Sequence, residues 1–357
     1  MAPVTEPSPD ATAAILSQLF EESSQFRHWK FTPEELRHLR EKVNREGAER
    51  VRKAYAEQSA ISGKDEPIPE CISWEEQQRL SQFYVNRLVK FCKAIKPPLD
   101  RFVQATAVVF FKRFYLRNTM MDYDPKVYFL TCLFLSTKVE NQYIPLRDFL
   151  AQIPKAPTAE VMKDYEFQLS QGIRFEYQVH HPFWPLHGFF LDVQNYILSA
   201  HPKAAHDLHL QRLTKTYHRA EQFAALATLS ELIFTHMPAQ IGFGCLLAAS
   251  RENDFEKELE KYLTSRFHAE ADNLARLRVE MEAIVDIVTK QGDINVPKGE
   301  AKDIDTKLDK CKNPEFDPTS ELFNHRAIDE EQAKQERSAL KSLSRQASAV
   351  DDAAFFL

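Results

Sequence analysis

The chain contains only eight glycines among its 357 residues, which is about a third of the usual glycine content of about 7%. Sandwiches, barrels and nucleotide-binding α/β folds need many glycines, because their tight turns require positive φ angles. A chain this poor in glycine is therefore predicted to be all-α. Its length corresponds to about two domains with an additional segment.

Charge and hydropathy argue against two further classes of protein. The 46 lysines and arginines are outnumbered by 52 aspartates and glutamates, so the formal net charge is −6. The chain lacks the positive excess that drives binding to phosphate backbones, and we expect no strong direct binding to nucleic acid. The apolar run from Ile241 to Ala249 is about half the length that spans a bilayer, so we expect no membrane segment.

The sequence offers no motif for a cofactor, a metal or catalysis. The five cysteines are widely spaced and form no C-x-x-C pair, which argues for reduced thiols and against a zinc ribbon. Gly242 and Gly244 are a close glycine pair without the Lys-Ser or Lys-Thr of a phosphate-binding loop. His206 and His209 could share a helix face, but no third ligand accompanies them. We therefore expect no cofactor, no metal and no enzymatic activity.

The N-terminal part divides into a leader and a helical extension. Residues 1–25 are rich in Pro, Ser, Thr and Ala and predict a flexible leader. Residues 26–72 contain the string Thr32-Pro33-Glu34-Glu35, in which a capping Thr, a Pro at the first helical position and a Glu predict a helix start. A second capping box, Ser73 to Glu76, predicts that the first main bundle begins there.

Two similar halves follow, residues 73–180 and 181–291, and each contains five predicted helices. In the first half, Ala105 to Phe111 is apolar except for Thr106, so this helix is expected at the centre of a bundle. The pair Cys132-Leu133 recurs 113 positions later as Cys245-Leu246 in a similar context. A period of that length predicts a duplicated domain and not a solenoid of short repeats.

The last segment, residues 292–357, has few aromatic residues and mixed charge. We expect a largely disordered tail with at most one helix, near residues 327–343.

The central helix and the helices after it carry an ordered string of residues that identifies a family. The string comprises Arg101, Ala105-Thr106-Ala107, Phe110 to Tyr115, Leu130-Thr131-Cys132, Leu135 to Glu140 and Tyr165-Glu166. In order and spacing it resembles the cyclin box, and the resemblance extends over about residues 25–290. It implies two tandem five-helix cyclin-fold bundles with N- and C-terminal helical extensions and a flexible tail. It also implies that the chain activates a cyclin-dependent kinase and is not itself an enzyme.

Within the family, the chain most resembles the cyclin H subfamily. The stretches that carry this closer resemblance are Arg27-His28-Trp29 with Phe31, Lys112 to Leu116 with Met121-Asp122-Tyr123, and His181-Pro182-Phe183 through Gly188-Phe189. Cyclin C shares much of the second stretch and is the alternative. The subfamily implies a nuclear protein in the kinase module of transcription factor IIH, which phosphorylates the C-terminal domain of RNA polymerase II. It also implies a RING-containing assembly factor as a third subunit and, through the complex, association with the transcription factor IIH core.

The resemblance assigns four residues to kinase binding. Lys138 and Glu166 match the cyclin pair that hydrogen-bonds the kinase near its αC helix, and Phe175 and Tyr177 match apolar positions that pack against the kinase. Lys138 falls in the last turn of its predicted helix, where the helix dipole favours a cation. In an arbitrary chain such charges are usually just solvated, and Phe175 is equally consistent with a core position.

A different class of function stays open at this point. Arg212, Lys215 and Arg219 are spaced by three and four along one predicted helix face. The transcription factor IIB core has the same duplicated fold and binds promoter DNA, so a DNA-binding module is the second candidate. Most such stripes only promote solubility, and we expect little DNA binding in a salt-dependent gel shift.

Overall fold

The computed structural model describes residues 20–63, 67–154, 156–266, 271–290 and 296–355, which contain helices and no strand. Most of the predicted leader, residues 1–19, lies outside the described residues. Within the described part of the N-terminal region, two helices precede the bundles, α1 (Ser24–Trp29) and α2 (Pro33–Ser62). The capping box predicted at the start of α2 is present, because the Thr32 hydroxyl accepts the Glu35 amide at 3.2 Å and the Glu35 carboxylate accepts the Thr32 amide at 2.8 Å.

The first bundle has five helices, as predicted: α3 (Trp74–Ala94), α4 (Arg101–Arg117), α5 (Pro125–Val139), α6 (Leu146–Leu150) and α7 (Ala159–Gly172). Helix α4 is the central helix, and every residue from Ala105 to Leu116 is buried. A helix with no polar face has to be surrounded by other helices. The sequence predicted this central position for α4. Helices α3, α5 and α7 pack around this centre.

The second bundle repeats this arrangement with one addition. Its helices are α8 (Phe183–Ala200), α9 (Lys203–Leu229), α10 (Leu232–Thr235), α11 (Pro238–Glu252), α12 (Glu256–Arg266) and α13 (Ala271–Lys290). The short helix α10 was not expected from the sequence. The apolar stripe of α13, including Leu274, Met281 and Ile284, is buried in the core of this bundle.

A buried lysine of the central helix joins the two bundles. The ammonium group of Lys112 donates to the carbonyls of Leu229 at 2.7 Å and Ser230 at 2.6 Å, at the end of α9. Burial lowers the pKa of Lys112 to about 8, although the carboxylate of Glu231, 3.7 Å away, opposes the shift. The two carbonyls compensate a buried donor that would otherwise be costly.

The neighbouring arginine contacts both helix α1 and the linker between the bundles, residues 173–182. Arg113 is 1% exposed and donates to the carbonyl of Glu176 at 3.0 Å and to the side-chain oxygen of Gln25 at 3.3 Å. Its guanidinium lies 5.1 Å from the ring of Trp29, which is buried and donates its indole N–H to the Glu176 carboxylate at 2.5 Å. Helix α1 is therefore fixed against the linker by polar and cation–π contacts.

The C-terminal segment differs from the predicted disordered tail. Helix α14 (Lys298–Lys310) packs on the first bundle, and Ile304, Leu308 and Cys311 lie in its core. A 3₁₀ turn (Pro314–Phe316) and helix α15 (Glu321–Phe355) follow. The polar composition concealed α14, because it buries only a narrow stripe and pairs its charges with the bundle, as in the two hydrogen bonds from Arg79 to Glu300.

Among the helices that the structure describes, none combines the length and apolar character needed to cross a bilayer.

Candidate partner-binding site

The two charged residues of the predicted site form an ion pair. Lys138 lies in the last turn of α5 and Glu166 in the middle of α7. The Lys138 ammonium donates to both carboxylate oxygens of Glu166, at 2.6 and 2.8 Å. The side chains are 37% and 17% exposed, respectively. The structure thus brings the pair together at the surface, where another protein can reach it.

The surroundings of the pair fix its position. The Lys138 ammonium lies over the ring of Phe134, 4.4 Å from its centre, which adds a cation–π contact. Phe134 is itself buried, so it cannot move freely. On the other helix, the backbone carbonyl of Glu166 accepts the Ser170 hydroxyl at 2.8 Å. The pair is therefore preorganised and needs little ordering when a partner binds.

Aromatic side chains follow Glu166 along the chain. Phe175 is 52% exposed, and its ring lies 6.3 Å from that of Phe167 and 6.5 Å from that of Tyr177. Phe175 adopts φ = +57°, and its amide donates to the Ser170 carbonyl at 2.7 Å as α7 ends. Phe175 is thus a surface residue and not a core residue.

Tyr177 and Phe167 differ in how far they are exposed. Tyr177 packs partly against the core of the first bundle, with its ring 6.4 Å from that of Phe110. Phe167 directly follows Glu166 and is 59% exposed. Phe167 was not predicted from the sequence to belong to the site. Its position as an aromatic residue beside the apolar stripe of α7, directly after Glu166, could have indicated it. We call Phe167, Phe175 and Tyr177 the aromatic patch.

The residue after α5 faces inward. The Glu140 carboxylate accepts the hydroxyl of Thr106 and lies 3.6 Å from Nε2 of the buried His181. The nearby imidazole of His181, followed by the hydrogen bond from Thr106, lowers the pKa of Glu140 against the opposing effect of burial. Glu140 therefore joins the first bundle to the beginning of the second. Asn141, which follows, has φ = +57°, a conformation that Asn tolerates well.

The cationic stripe of α9 is partly neutralised. Arg219 donates to both carboxylate oxygens of Glu252, at 2.5 and 3.0 Å, and lies over Phe223. Such a paired guanidinium is less available to a phosphate backbone. This weakens the case for DNA binding through Arg212, Lys215 and Arg219.

Comparison with known proteins agrees with this architecture. Residues 54–178 match the cyclin N-terminal domain, and residues 181–294 match the cyclin C-terminal domain. Cyclin mcs2 of Schizosaccharomyces pombe is 30% identical over 332 residues, which cover 90% of this chain and 94% of that protein. The chain belongs to the cyclin family. It is therefore a regulatory subunit of a kinase and not an enzyme, as the sequence predicted.

Further relatives place this cyclin near the cyclin H subfamily, which confirms the closer resemblance. Cyclin CCL1 of Saccharomyces cerevisiae is 31% identical over 70% of this chain and 61% of that protein. Cyclin-H of Xenopus laevis is 29% identical over 69% of this chain and 72% of its own length.

Two solved complexes contain chains with the same fold. One is the CAK complex from Chaetomium thermophilum bound to ATP-gamma-S, with a TM-score of 0.73 and 27% identity, covering 92% of this chain and 96% of that chain. The other is the yeast TFIIK (Kin28/Ccl1/Tfb3) complex, with a TM-score of 0.56 and 26% identity, covering 74% of this chain and 99% of that chain.

Proposed function

We propose that this cyclin activates the kinase of transcription factor IIH by binding it through Lys138, Glu166, Phe175 and Tyr177. The observation that carries the proposal is the preformed, solvent-accessible ion pair of Lys138 and Glu166, followed along α7 and the linker by the aromatic patch. The similarity to chains of the CAK and TFIIK complexes supports the choice of kinase.

The ion pair keeps hydrogen-bonding capacity for a partner. A lysine ammonium has three N–H donors, and Glu166 engages Lys138 with both oxygens at 2.6 and 2.8 Å. One donor and the second lone pair of each carboxylate oxygen thus remain available. Backbone amides and carbonyls of a docked kinase segment fit this combination. Aromatic side chains around such a site exclude water and strengthen its polar contacts.

Activation then follows from binding one conformation. A protein kinase is active when the lysine of its β3 strand pairs with the glutamate of its αC helix. A partner that binds only the inward position of αC shifts the population towards the active arrangement. This cyclin acts as a conformational ligand and contributes no group to phosphoryl transfer.

The complex includes further partners in this proposal. A RING-containing assembly factor is the third subunit, and the transcription factor IIH core is bound through the assembled module in the nucleus. The yeast TFIIK complex consists of Kin28, Ccl1 and Tfb3, in line with a three-subunit module. The apolar side chains of Leu274, Met281 and Ile284 on α13 are buried in the second bundle and are not available to the assembly factor.

The test is reconstitution with the kinase subunit of the same organism. We expect the purified chain to bind that kinase and to stimulate phosphorylation of an RNA polymerase II C-terminal domain peptide, with Lys138→Glu strongly impaired. Affinity purification of the chain from nuclear extract, with mass spectrometry, identifies the kinase and the assembly factor. Recovery of a cyclin C type kinase in their place, or absence of stimulation by wild type, would refute the proposal.

A further inference from the structure

Three potential metal ligands converge in the second bundle, away from the ion pair. His201 is the C-cap residue directly after α8, His209 lies in the second turn of α9, and Glu258 lies in the first turn of α12. One ligand atom from each residue lies within 4.8 Å of the other two. His206, which the sequence places near His209 without a third ligand, is not part of this cluster, because its Nε2 atom contacts the His201 carbonyl at 2.8 Å.

Each of the three residues has a buried side-chain atom with no hydrogen-bond partner among the described residues. These atoms are Nε2 of His201, Nδ1 of His209 and Oε2 of Glu258. Nε2 of His201 lies 3.0 Å from Oε2 of Glu258, yet the orientation of the groups makes no hydrogen bond. Buried polar atoms are normally hydrogen-bonded, so three such atoms on neighbouring side chains call for an explanation.

The surrounding contacts hold the three side chains in place. The imidazole rings of His201 and His209 stack with their centres 4.3 Å apart. The His201 amide donates to the Ile197 carbonyl at 3.1 Å, which fixes the backbone at the end of α8. The Lys261 ammonium donates to Oε1 of Glu258 at 2.8 Å, which leaves Oε2 for another ligand.

We propose that His201, His209 and Glu258 bind a Zn²⁺ ion. Two imidazoles and a carboxylate are an established ligand set for zinc, and a water molecule completes a tetrahedron. With bonds of about 2.0 to 2.2 Å, a tetrahedral zinc ion holds its ligand atoms about 3.4 Å apart. The ligand atoms lie within 4.8 Å of one another, so a separation longer than about 3.4 Å requires the side chains to close slightly on the ion.

The ion would link three helices of the second bundle. It connects the corner between α8 and α9 to the start of α12. A metal that binds the folded state and not the unfolded state stabilises the fold by mass action. The proposed ion would therefore stabilise the folded second bundle.

The experiment uses the full chain without an affinity tag, stripped of metal with EDTA and titrated with zinc sulfate by calorimetry. We expect one site per chain and at least tenfold weaker binding in His209→Gln and in Glu258→Gln. We also expect zinc to raise the melting temperature of wild type more than that of either variant. His218→Gln is the matched control, because His218 lies on the same helix with a side chain that is 68% exposed.

The five cysteines could also bind zinc. Zinc bound by cysteines would not be weakened in His209→Gln or Glu258→Gln, so the two variants distinguish the sites. Circular dichroism in EDTA verifies that each variant is folded before it is titrated. Absence of zinc binding by wild type, or equal affinity in wild type and both folded variants, would overturn the proposal.

Discussion

Lys138 and Glu166 are 28 positions apart in the sequence, and the lysine ammonium contacts both carboxylate oxygens of the glutamate. The contact joins the end of α5 to the middle of α7. Its two members have different surroundings, since the lysine is 37% exposed and the glutamate 17%. A partner therefore meets the lysine more readily, while the glutamate keeps the lysine in position.

Reversing or removing one charge of this pair should weaken kinase binding. We expect Lys138→Glu and Glu166→Ala each to reduce affinity at least tenfold, since truncating one member of a buried interfacial pair costs about 2 to 5 kcal/mol. Calorimetry or a quantitative pull-down with the purified kinase measures the effect. Lys215→Glu is the control, because it also reverses an exposed positive charge but lies on the second bundle. Wild-type affinity in both pair variants would rule out the assignment.

A substitution of Phe175 should affect kinase binding without affecting the stability of the fold. Because its side chain is 52% exposed, Phe175→Ala should leave the free energy of unfolding within about 1 kcal/mol of wild type while weakening the kinase complex. Phe110→Ala, at a fully buried position, should instead cost about 3 to 5 kcal/mol of stability. Urea denaturation and kinase titration on the same samples distinguish the two effects. A large loss of stability in Phe175→Ala would indicate a core role.

Trp29 is expected to anchor the N-terminal helix. Trp29→Ala removes a buried ring, its contacts with Arg113 and its hydrogen bond to Glu176, so the free energy of unfolding should fall by about 3 to 5 kcal/mol. Trp184→Ala is the matched control, since Trp184 is 67% exposed and should give a much smaller loss. Equal losses in the two variants would show that α1 is not docked in solution.

The C-terminal segment yields a similar test. Leu308 is fully buried against the first bundle, so Leu308→Ala should destabilise the chain by about 2 to 5 kcal/mol. Leu340 on α15 is 65% exposed, and Leu340→Ala should have little effect. Chemical denaturation of both variants decides whether α14 belongs to the folded unit. If Leu308→Ala had the same free energy of unfolding as wild type, α14 would not be packed on the first bundle in solution.

The ionisation of Glu140 should make the stability of the fold depend on pH. Its pKa is lowered in the folded chain by His181 and Thr106, so ionised Glu140 stabilises the fold above the pKa of the unfolded chain, near 4.5. This contribution is lost as the pH falls through the lowered pKa. Glu140→Gln should therefore reduce the acid-dependent loss of stability below about pH 4.5. Denaturation at several pH values measures this pH dependence of stability. Glu49→Gln, at an exposed position, is the control. If Glu140→Gln had the same pH profile as wild type, Glu140 would not be the group responsible.

The helices were predictable wherever local chemistry decides them. The capping boxes at Thr32 and Ser73 mark helix starts by contacts within four residues, and the apolar composition of α4 requires a central position. These signals need no knowledge of the rest of the chain. They explain why the fold class and most helix positions could be inferred from composition and periodicity.

Features that depend on distant partners were not accessible in the same way. Helix α14 is stabilised by a surface formed much earlier in the chain, so its own polar sequence resembles a tail. The cluster of His201, His209 and Glu258 combines three helices, whereas the sequence showed only His206 and His209 without a third ligand and predicted no metal. Lys138 and Glu166 were paired through the family resemblance, because nothing in their separate contexts indicates that they meet.

The contact of helix α1 with the linker has a consequence for how the chain matures on the ribosome. The Gln25 side chain donates to the His180 carbonyl, 155 positions later. At about 5 to 20 residues per second, roughly 8 to 30 s of translation separate the two. Throughout that interval the Trp29 indole lacks its final pocket and is open to chaperones. Helix α1 thus reaches its final packing only after residues that are synthesised much later.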